Sequence, residues 1–466
     1  MKLIKALFVS ALVLAFAVPA YAETQNVKVS GSIDAYSFYR EDYDLRDSND
    51  AGSIPVGTAV PAGGGGTGSV TQRSGSDTFF RTNTQVEVSA DLTDNVSTVI
   101  NLVNQRDWNT DEFSGAAGTP TANANDEFDV NVDLAYVQMK EIFYAPLTLT
   151  IGRQDIWFGR GFIIGNNNAA WDSEGNTQAD EYSVTTAFDA IRGTLDFNPW
   201  TIDLVYSKIN ENSHNPEDDR DLYVANVNYK FAEYNAVAEG YWVGETDKSA
   251  LAGATGTNNN ETHTLGGRVQ FDPIAQITLG GELAYQFGDY MSALGTNERD
   301  RSATAANLFG TYRFDYTWKP EVTLEYVHFS GEDNLSTTTD EYNAWNALFR
   351  GKFWTAYADF REFVYATGDA SDQSATQNQN LVQLKGAMKP TEDLLLEGAF
   401  TWVWTDETVS GRSDEIGWEF DVVATYDYTE DVSFGLLAGW FVPGDFYTQP
   451  NDETATDIVS SVKVAF

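Results

Sequence analysis

Cysteine is absent from the 466 residues, which excludes disulfide frameworks, thiolate metal sites and cysteine nucleophiles together. Histidine occurs only as His214, His263 and His328, too little for a histidine metal cluster or for repeated acid–base chemistry. Basic residues are scarce: 28 stand against 69 acidic ones, for a formal charge of −41. Nucleic acid is therefore no partner, because binding it needs basic patches that displace counterions. Beyond residue 22 there is no run of 18 apolar residues, so a helical inner-membrane protein is excluded as well. No cofactor and no metal site is expected.

Aromatic residues, by contrast, are abundant at 14%, and disordered chains are poor in them. The N-terminus, MKLIKALFVSALVLAFAVPAYA, has Lys2 and Lys5 before an apolar stretch and ends in Ala20-Tyr21-Ala22. That pattern reads as a secretory signal peptide over residues 1–22. Residues 23–466 then form one domain. Alternation begins at Val27, which leaves no room for a plug or passenger domain ahead of the first strand.

From there the hydrophobic period is two. In 80–90, Phe80, Thr82, Thr84, Val86, Val88 and Ala90 share one parity, and Arg81, Asn83, Gln85, Glu87 and Ser89 the other. The same reading sets Ile277, Leu279, Leu283, Tyr285 and Phe287 against Thr278, Glu282 and Gln286. It sets Ile416, Trp418, Phe420, Val422 and Tyr426 against Glu419, Asp421 and Asp427. Alternation of this kind marks strands with one apolar face.

A soluble sandwich would bury that face, whereas a transmembrane barrel would turn it to lipid. Three features select the barrel. Aromatic pairs such as Trp402–Trp404 and Tyr426–Tyr428 sit at strand ends, where interfacial girdles form. Short connections (93–95, 198–200, 272–273, 319–320, 389–393, 429–431) alternate with long acidic, Gly- and Asn-rich ones, the layout of periplasmic turns and outer loops. The chain also ends on Phe466 at the close of an alternating strand, an ending that resembles the signal read by the barrel-insertion machinery of Gram-negative bacteria. The fold class is all-β: a transmembrane antiparallel β-barrel in the outer membrane, with about 18 strands (range 16–20). Twenty strands result if 342–366 is a hairpin and 18 if it is a loop.

Several stretches resemble the alginate export family. They are LTLTIGRQDIWFGRG (147–161), DAIRGTLDFNPWTIDLVYSKINE (189–211), NALFRGKFWTAYADF (346–360) and GWEFDVVATYDYTEDVSFGLLAGWFVPGDF (417–446). The resemblance implies a single-chain channel for a polyanionic uronic-acid polysaccharide, with 342–366 as loop and hence 18 strands. It also implies that Arg153 and Arg350 line the conduit. The closing hairpin departs from the pattern: Leu436-Leu437-Ala438 stands where alginate transporters carry an arginine.

The residues add their own reading. Arg81, Arg192, Arg268 and Arg313 fall on the face opposite the apolar one, with Glu87, Glu282, Glu325, Glu397, Glu419 and Asp421. A charged inner face means a watery lumen. Those charges either pair with one another across the wall or, as Arg153, Arg192 and Arg350 together, recognise an anion through the arginine fork. The loop 156–181 either folds into the pore or packs on the surface. Acidic loop residues such as Asp42, Asp44, Asp47, Asp50 and Asp219 read as solvated charge facing lipopolysaccharide. No histidine has a visible catalytic partner, so an enzyme is not expected. The reading is a monomeric channel in outer-membrane lipid for a hydrophilic solute or anionic polysaccharide. The alternatives are a general or cation-selective porin and a loop-occluded structural or adhesin barrel.

Overall fold

The computed structural model describes residues 26–43, 45, 59–60, 70–71, 76–108, 130–167, 182–211, 219–248, 260–291, 298–332, 341–358, 378–408, 413–447 and 452–466. Residues 1–25, which include the expected signal peptide, and His214, Asp44, Asp47, Asp50 and 168–181 lie outside them.

Eighteen long strands follow one another around a ring. They are β1 (Asn26–Glu41), β2 (Ser76–Thr93), β3 (Val96–Asp107), β4 (Asn131–Met139), β5 (Leu147–Gln154) and β6 (Phe188–Asp196). Next come β7 (Trp200–Glu211), β8 (Asp219–Lys230), β9 (Val237–Asp247), β10 (Asn260–Ile274), β11 (Ile277–Met291) and β12 (Glu298–Arg313). The ring finishes with β13 (Glu321–Phe329), β14 (Gln379–Met388), β15 (Leu394–Trp404), β16 (Glu415–Asp427), β17 (Val432–Pro443) and β18 (Ala455–Ala465). Each pairs antiparallel with its sequence neighbours, and β1 pairs with both β2 and β18. Closure leaves no strand edge whose amide groups would stand unpaired in hydrocarbon. Among the described residues no helix is long and apolar enough to cross a membrane; strands make the crossing.

Parity fixes what each face meets. On β11, Leu283 is 62% exposed and its neighbour Glu282 4%. The outward set is Val, Leu, Ile and aromatic, and the inward set is polar and buried against other inward groups. Phe197, Trp200, Phe231, Phe314, Tyr316, Trp318, Tyr428 and Phe466 crowd the short-turn end, forming one interfacial girdle. Phe466 closes the ring, exchanging backbone hydrogen bonds with Gly31 of β1 (2.9 and 3.0 Å).

Two boundaries differ from the alternation reading. Asp272 and Pro273 remain within β10, and the turn falls at 275–276. Ile416 is fully buried rather than outward, because a register shift opposite Trp404, at Gly417 with φ +143°, breaks the alternation at the top of β16. An extra residue at such a bulge moves one side chain to the other face. Residues 342–366 form no barrel hairpin within their described part. Glu341–Tyr342 makes a two-residue parallel pairing with Asp300–Arg301 of β12, where β13 has ended.

Candidate functional site: a loop-constricted lumen

Two segments leave the long-loop end and turn into the barrel: 155–167 after β5 and 341–358 after β13. Ile156, Phe162, Ile163, Ile164, Trp345 and Phe349 are buried in one cluster with Phe188, Val205, Leu222, Val224, Val243, Ala303, Ala305 and Phe329. The inward faces of β6–β9, β12 and β13 thus carry apolar groups at this level, and the hydrophobic effect holds the segments against them.

The segments also bind one another. Gly165 N and Asn166 N donate to Phe349 O (2.8 and 3.0 Å), and Gly351 N and Lys352 N donate to Gly161 O (2.9 and 3.1 Å). Gly351 is required by close approach: a Cβ there would stand 2.7 Å from the Gly165 Cα. Gly161 is required by its φ of +74°.

Polar groups of the wall receive the second segment by its backbone. Gln286 accepts from Asn346 N (2.9 Å) and donates to Asn346 O (2.7 Å). Gln383 Nε2 donates to Trp354 O (2.5 Å). Glu419 accepts from Tyr357 N and Ala358 N, each at 2.8 Å. The ladder register makes Glu325, Gln383, Thr401 and Glu419 cross-strand neighbours on β13–β16. Residues 352–358 therefore run along a shelf, bonded at Glu325, Gln383 and Glu419. The return limb of the first loop is fixed opposite: Asn83 donates to Tyr182 O (2.8 Å), and Gln105 accepts from Val184 N (2.8 Å).

Below this ceiling lies a cavity of about 530 Å³. Two cations from different loops meet at its wall on one carboxylate. Arg160 reaches Glu325 at 2.9 Å and Asn307 at 2.8 Å, with its guanidinium 3.8 Å from the Phe309 ring centre. Lys352 Nζ lies 2.7 Å from Glu325 and 4.9 Å from the Trp354 ring centre. Lys385, Glu397 and Asp421 also line the cavity, with Lys385 and Glu397 paired at 2.7 Å.

The residues singled out from sequence are not gathered into one ring. Arg350 is inside the constriction, buried, with its guanidinium near the rings of Phe329, Phe353 and Trp354 (5.3, 4.8 and 5.4 Å). Glu419 is the shelf residue just described. Arg192 pairs with Asp203 at 2.8 Å and lies 5.3 Å from the Phe158 ring of the first segment. Arg268 pairs with Glu239 at 3.0 Å, and Glu282, its ladder partner, accepts from Tyr241 Oη at 2.8 Å. These three strands form the seat under Gly159, whose added Cβ would meet Glu239 and Arg268 at 3.0 and 3.1 Å. Arg81 is buried on the opposite wall, bonded to Asn83 and Gln105 (3.0 and 3.3 Å). Arg313 is 45% exposed near the short-turn end, bonded to Thr278 at 2.9 Å.

Arg153 is a correction. It shares the parity of Leu149 and Ile151, stands opposite Ala135 and Asp189, and pairs with Asp189 at 3.4 Å. Asp189 is 65% exposed and Ile191, on the same face of β6, is 47% exposed. The side chain thus starts from the outer face of the wall, at the long-loop end of β5. The strand's own alternation, Leu147-Leu149-Ile151-Arg153, carries that placement.

Arg160 and Lys352 were missed. Parity assigns strand residues to a face and says nothing of loops. The available signal was basic residues set among glycines and aromatics, in WFGRGF (157–162) and FRGKFW (349–354).

The alginate export family model matches residues 68–461. No curated protein sequence matches the chain. Among solved structures, OccAB1 of Acinetobacter baumannii shares 12% identity at a TM-score of 0.54, covering 96% of this chain and 98% of its own. OccK2 of Pseudomonas aeruginosa in complex with glucuronate shares 10% at 0.52, covering 95% and 99%. A BenF-like porin of Pseudomonas fluorescens Pf-5 shares 10% at 0.53, covering 95% and 100%. At such identities they share its fold. With the family match over most of its length and a closed, lipid-facing barrel, the chain belongs to the alginate export family of Gram-negative outer-membrane channels.

Proposed function

We propose that the protein is a passive channel for a small hydrophilic solute bearing a carboxylate, selected where the two infolded segments narrow the lumen. One observation carries this reading: Arg160 and Lys352 converge on Glu325. Two cationic groups from different loops thus stand together at the cavity wall. In a narrow, low-dielectric conduit basic groups concentrate anions, and a guanidinium suits a carboxylate geometrically. The cavity of about 530 Å³ holds a sugar acid or a few linked units. That an OccK2 structure was obtained with glucuronate supports the class of solute. The channel works as a monomer in lipid and lipopolysaccharide, after loss of residues 1–22 and insertion guided by the Phe466 strand. No covalent step is part of the mechanism.

Proteoliposome swelling with glucuronate and with glucose, solutes of like size, tests the proposal. Faster entry of glucuronate is expected. Equal entry makes the protein a general porin, and no entry of either makes it a loop-occluded barrel.

A further inference from the structure

His328 has partners that a strand pattern does not announce. It lies on the outer parity of β13, one residue before the strand ends, and reaches groups on both neighbouring strands. Its Nε2 is 3.3 Å from Thr304 Oγ1 of β12. Its Nδ1 is 3.0 Å from Asn380 Oδ1 of β14 and 3.5 Å from Asp406 Oδ1, just beyond β15. Asp406 is itself anchored, its other oxygen accepting from Gly331 N at 3.1 Å.

The carboxylate sets the direction of the bonds in this chain. An ionised carboxylate only accepts, so Asn380 donates its amide N–H to Asp406 (3.4 Å) and turns its carbonyl oxygen to His328. That oxygen also accepts from Tyr326 Oη at 2.7 Å. His328 therefore carries its proton on Nδ1 and presents the Nε2 lone pair to the Thr304 hydroxyl. A hydroxyl, a basic ring nitrogen and a group that orients the ring are the parts that activate an alcohol as a nucleophile.

The site stands outside the lumen, at the long-loop end of the wall. Thr304 is exposed on the outer parity of β12. Leu324 and Trp402, on the same face nearer mid-barrel, are exposed to lipid, and the rings of Tyr326 and Trp404 lie beside the site. Aromatics at a strand end mark the headgroup level, where the acyl esters of outer-leaflet lipids lie. Tyr285 is the ladder partner of Thr304, and its hydroxyl is 3.3 Å from Ser302 Oγ. Those two hydroxyls, on the face that carries Thr304, are the donors available to charge developing on an ester carbonyl oxygen.

We propose that this outer face hydrolyses acyl esters of outer-leaflet lipids, an activity separate from the channel. Thr304 Oγ1 attacks the ester carbonyl carbon as its proton passes to His328 Nε2. The bond from that carbon to the alcohol oxygen breaks, and the leaving oxygen takes the proton. A water molecule, deprotonated by His328, then cleaves the acyl-threonine, which releases the fatty acid and restores the hydroxyl. Thr304 and His328 are the catalytic residues, and Asn380 is a positioning residue that holds the ring.

The test measures fatty acid released by the full-length protein in mixed micelles, with dioleoylphosphatidylcholine in one arm and purified lipopolysaccharide in the other. Release from at least one is expected, and the arm that responds identifies the source of the ester. Thr304→Val and His328→Gln should each lower the rate by at least about 100-fold, whereas Thr304→Ser should keep it. Asn380→Leu should lower kcat with KM unchanged. Ion conductance, which uses the lumen, should be the same in these variants and shows that each barrel is folded. A long-chain fluorophosphonate should label Thr304 of the unaltered protein, read by mass spectrometry of its peptides. Release from neither lipid overturns the proposal, as does release that persists in Thr304→Val. Absence of label at Thr304 overturns it even if the variants do not fold.

Discussion

Removing Glu419 should loosen the ceiling of the cavity. The residue is fully buried, and its carboxylate accepts the Tyr357 and Ala358 amides at 2.8 Å each. Glu419→Ala leaves two buried N–H groups without their acceptor. Each orphaned donor costs about 1–3 kcal/mol. Relief of the burial of a polar carboxyl group and entry of water from the cavity offset part of this, so the net loss is about 3 kcal/mol. At about 1.4 kcal/mol per tenfold, the segment 352–358 then opens roughly 100-fold more often. Amide hydrogen exchange reads this directly: protection at Tyr357 and Ala358 should fall by about two orders of magnitude, with the barrel strands unaffected. Glu419→Gln, which keeps one acceptor oxygen, should fall between. Unchanged protection in Glu419→Ala would refute the shelf, and exchange spread over β13–β16 would show that Glu419 holds the wall instead.

Three further outcomes follow from the same contacts. Gly351→Val puts a Cβ 2.7 Å from the Gly165 Cα and 2.5 Å from the Trp157 ring, so the segments must part; single-channel conductance should rise, and an unchanged value would contradict their mutual packing. Arg268→Ala abandons Glu239, whose side chain is 3% exposed, and a broken buried pair costs about 3–5 kcal/mol. Arg313→Ala, 45% exposed, should cost less than about 1 kcal/mol, so heat-modified gel mobility should rank the two clearly. Phe466→Ala should lower the yield of barrel inserted in the outer membrane without altering the conductance of the channels that do insert.

Much of the wall was legible because a strand has only two faces. Alternation in 80–90 put Arg81 inward and Phe80 outward, and both stand there. It failed at Ile416, where a bulge adds a residue that no period of two can announce. Arg153 was placed on the conduit by the family resemblance alone, and the ladder puts it on the outer parity of its strand. The constriction was hardly legible at all. Its parts are loops without periodicity, and their positions depend on contacts as distant in sequence as Arg160 with Glu325 and Tyr357 with Tyr43. Glu325 and Glu419 were visible as inward carboxylates, but a strand pattern does not tell which inward carboxylate meets a folded-in loop.

The central claim is that Arg160 and Lys352, together at the cavity wall, select anions. Reversal potential of single channels under a tenfold KCl gradient measures it most directly. The unaltered channel should prefer chloride and be blocked by glucuronate, and the Arg160→Ala/Lys352→Ala double variant should shift toward potassium and lose the block. A cation-preferring unaltered channel, or a double variant with the same reversal potential, would contradict the account.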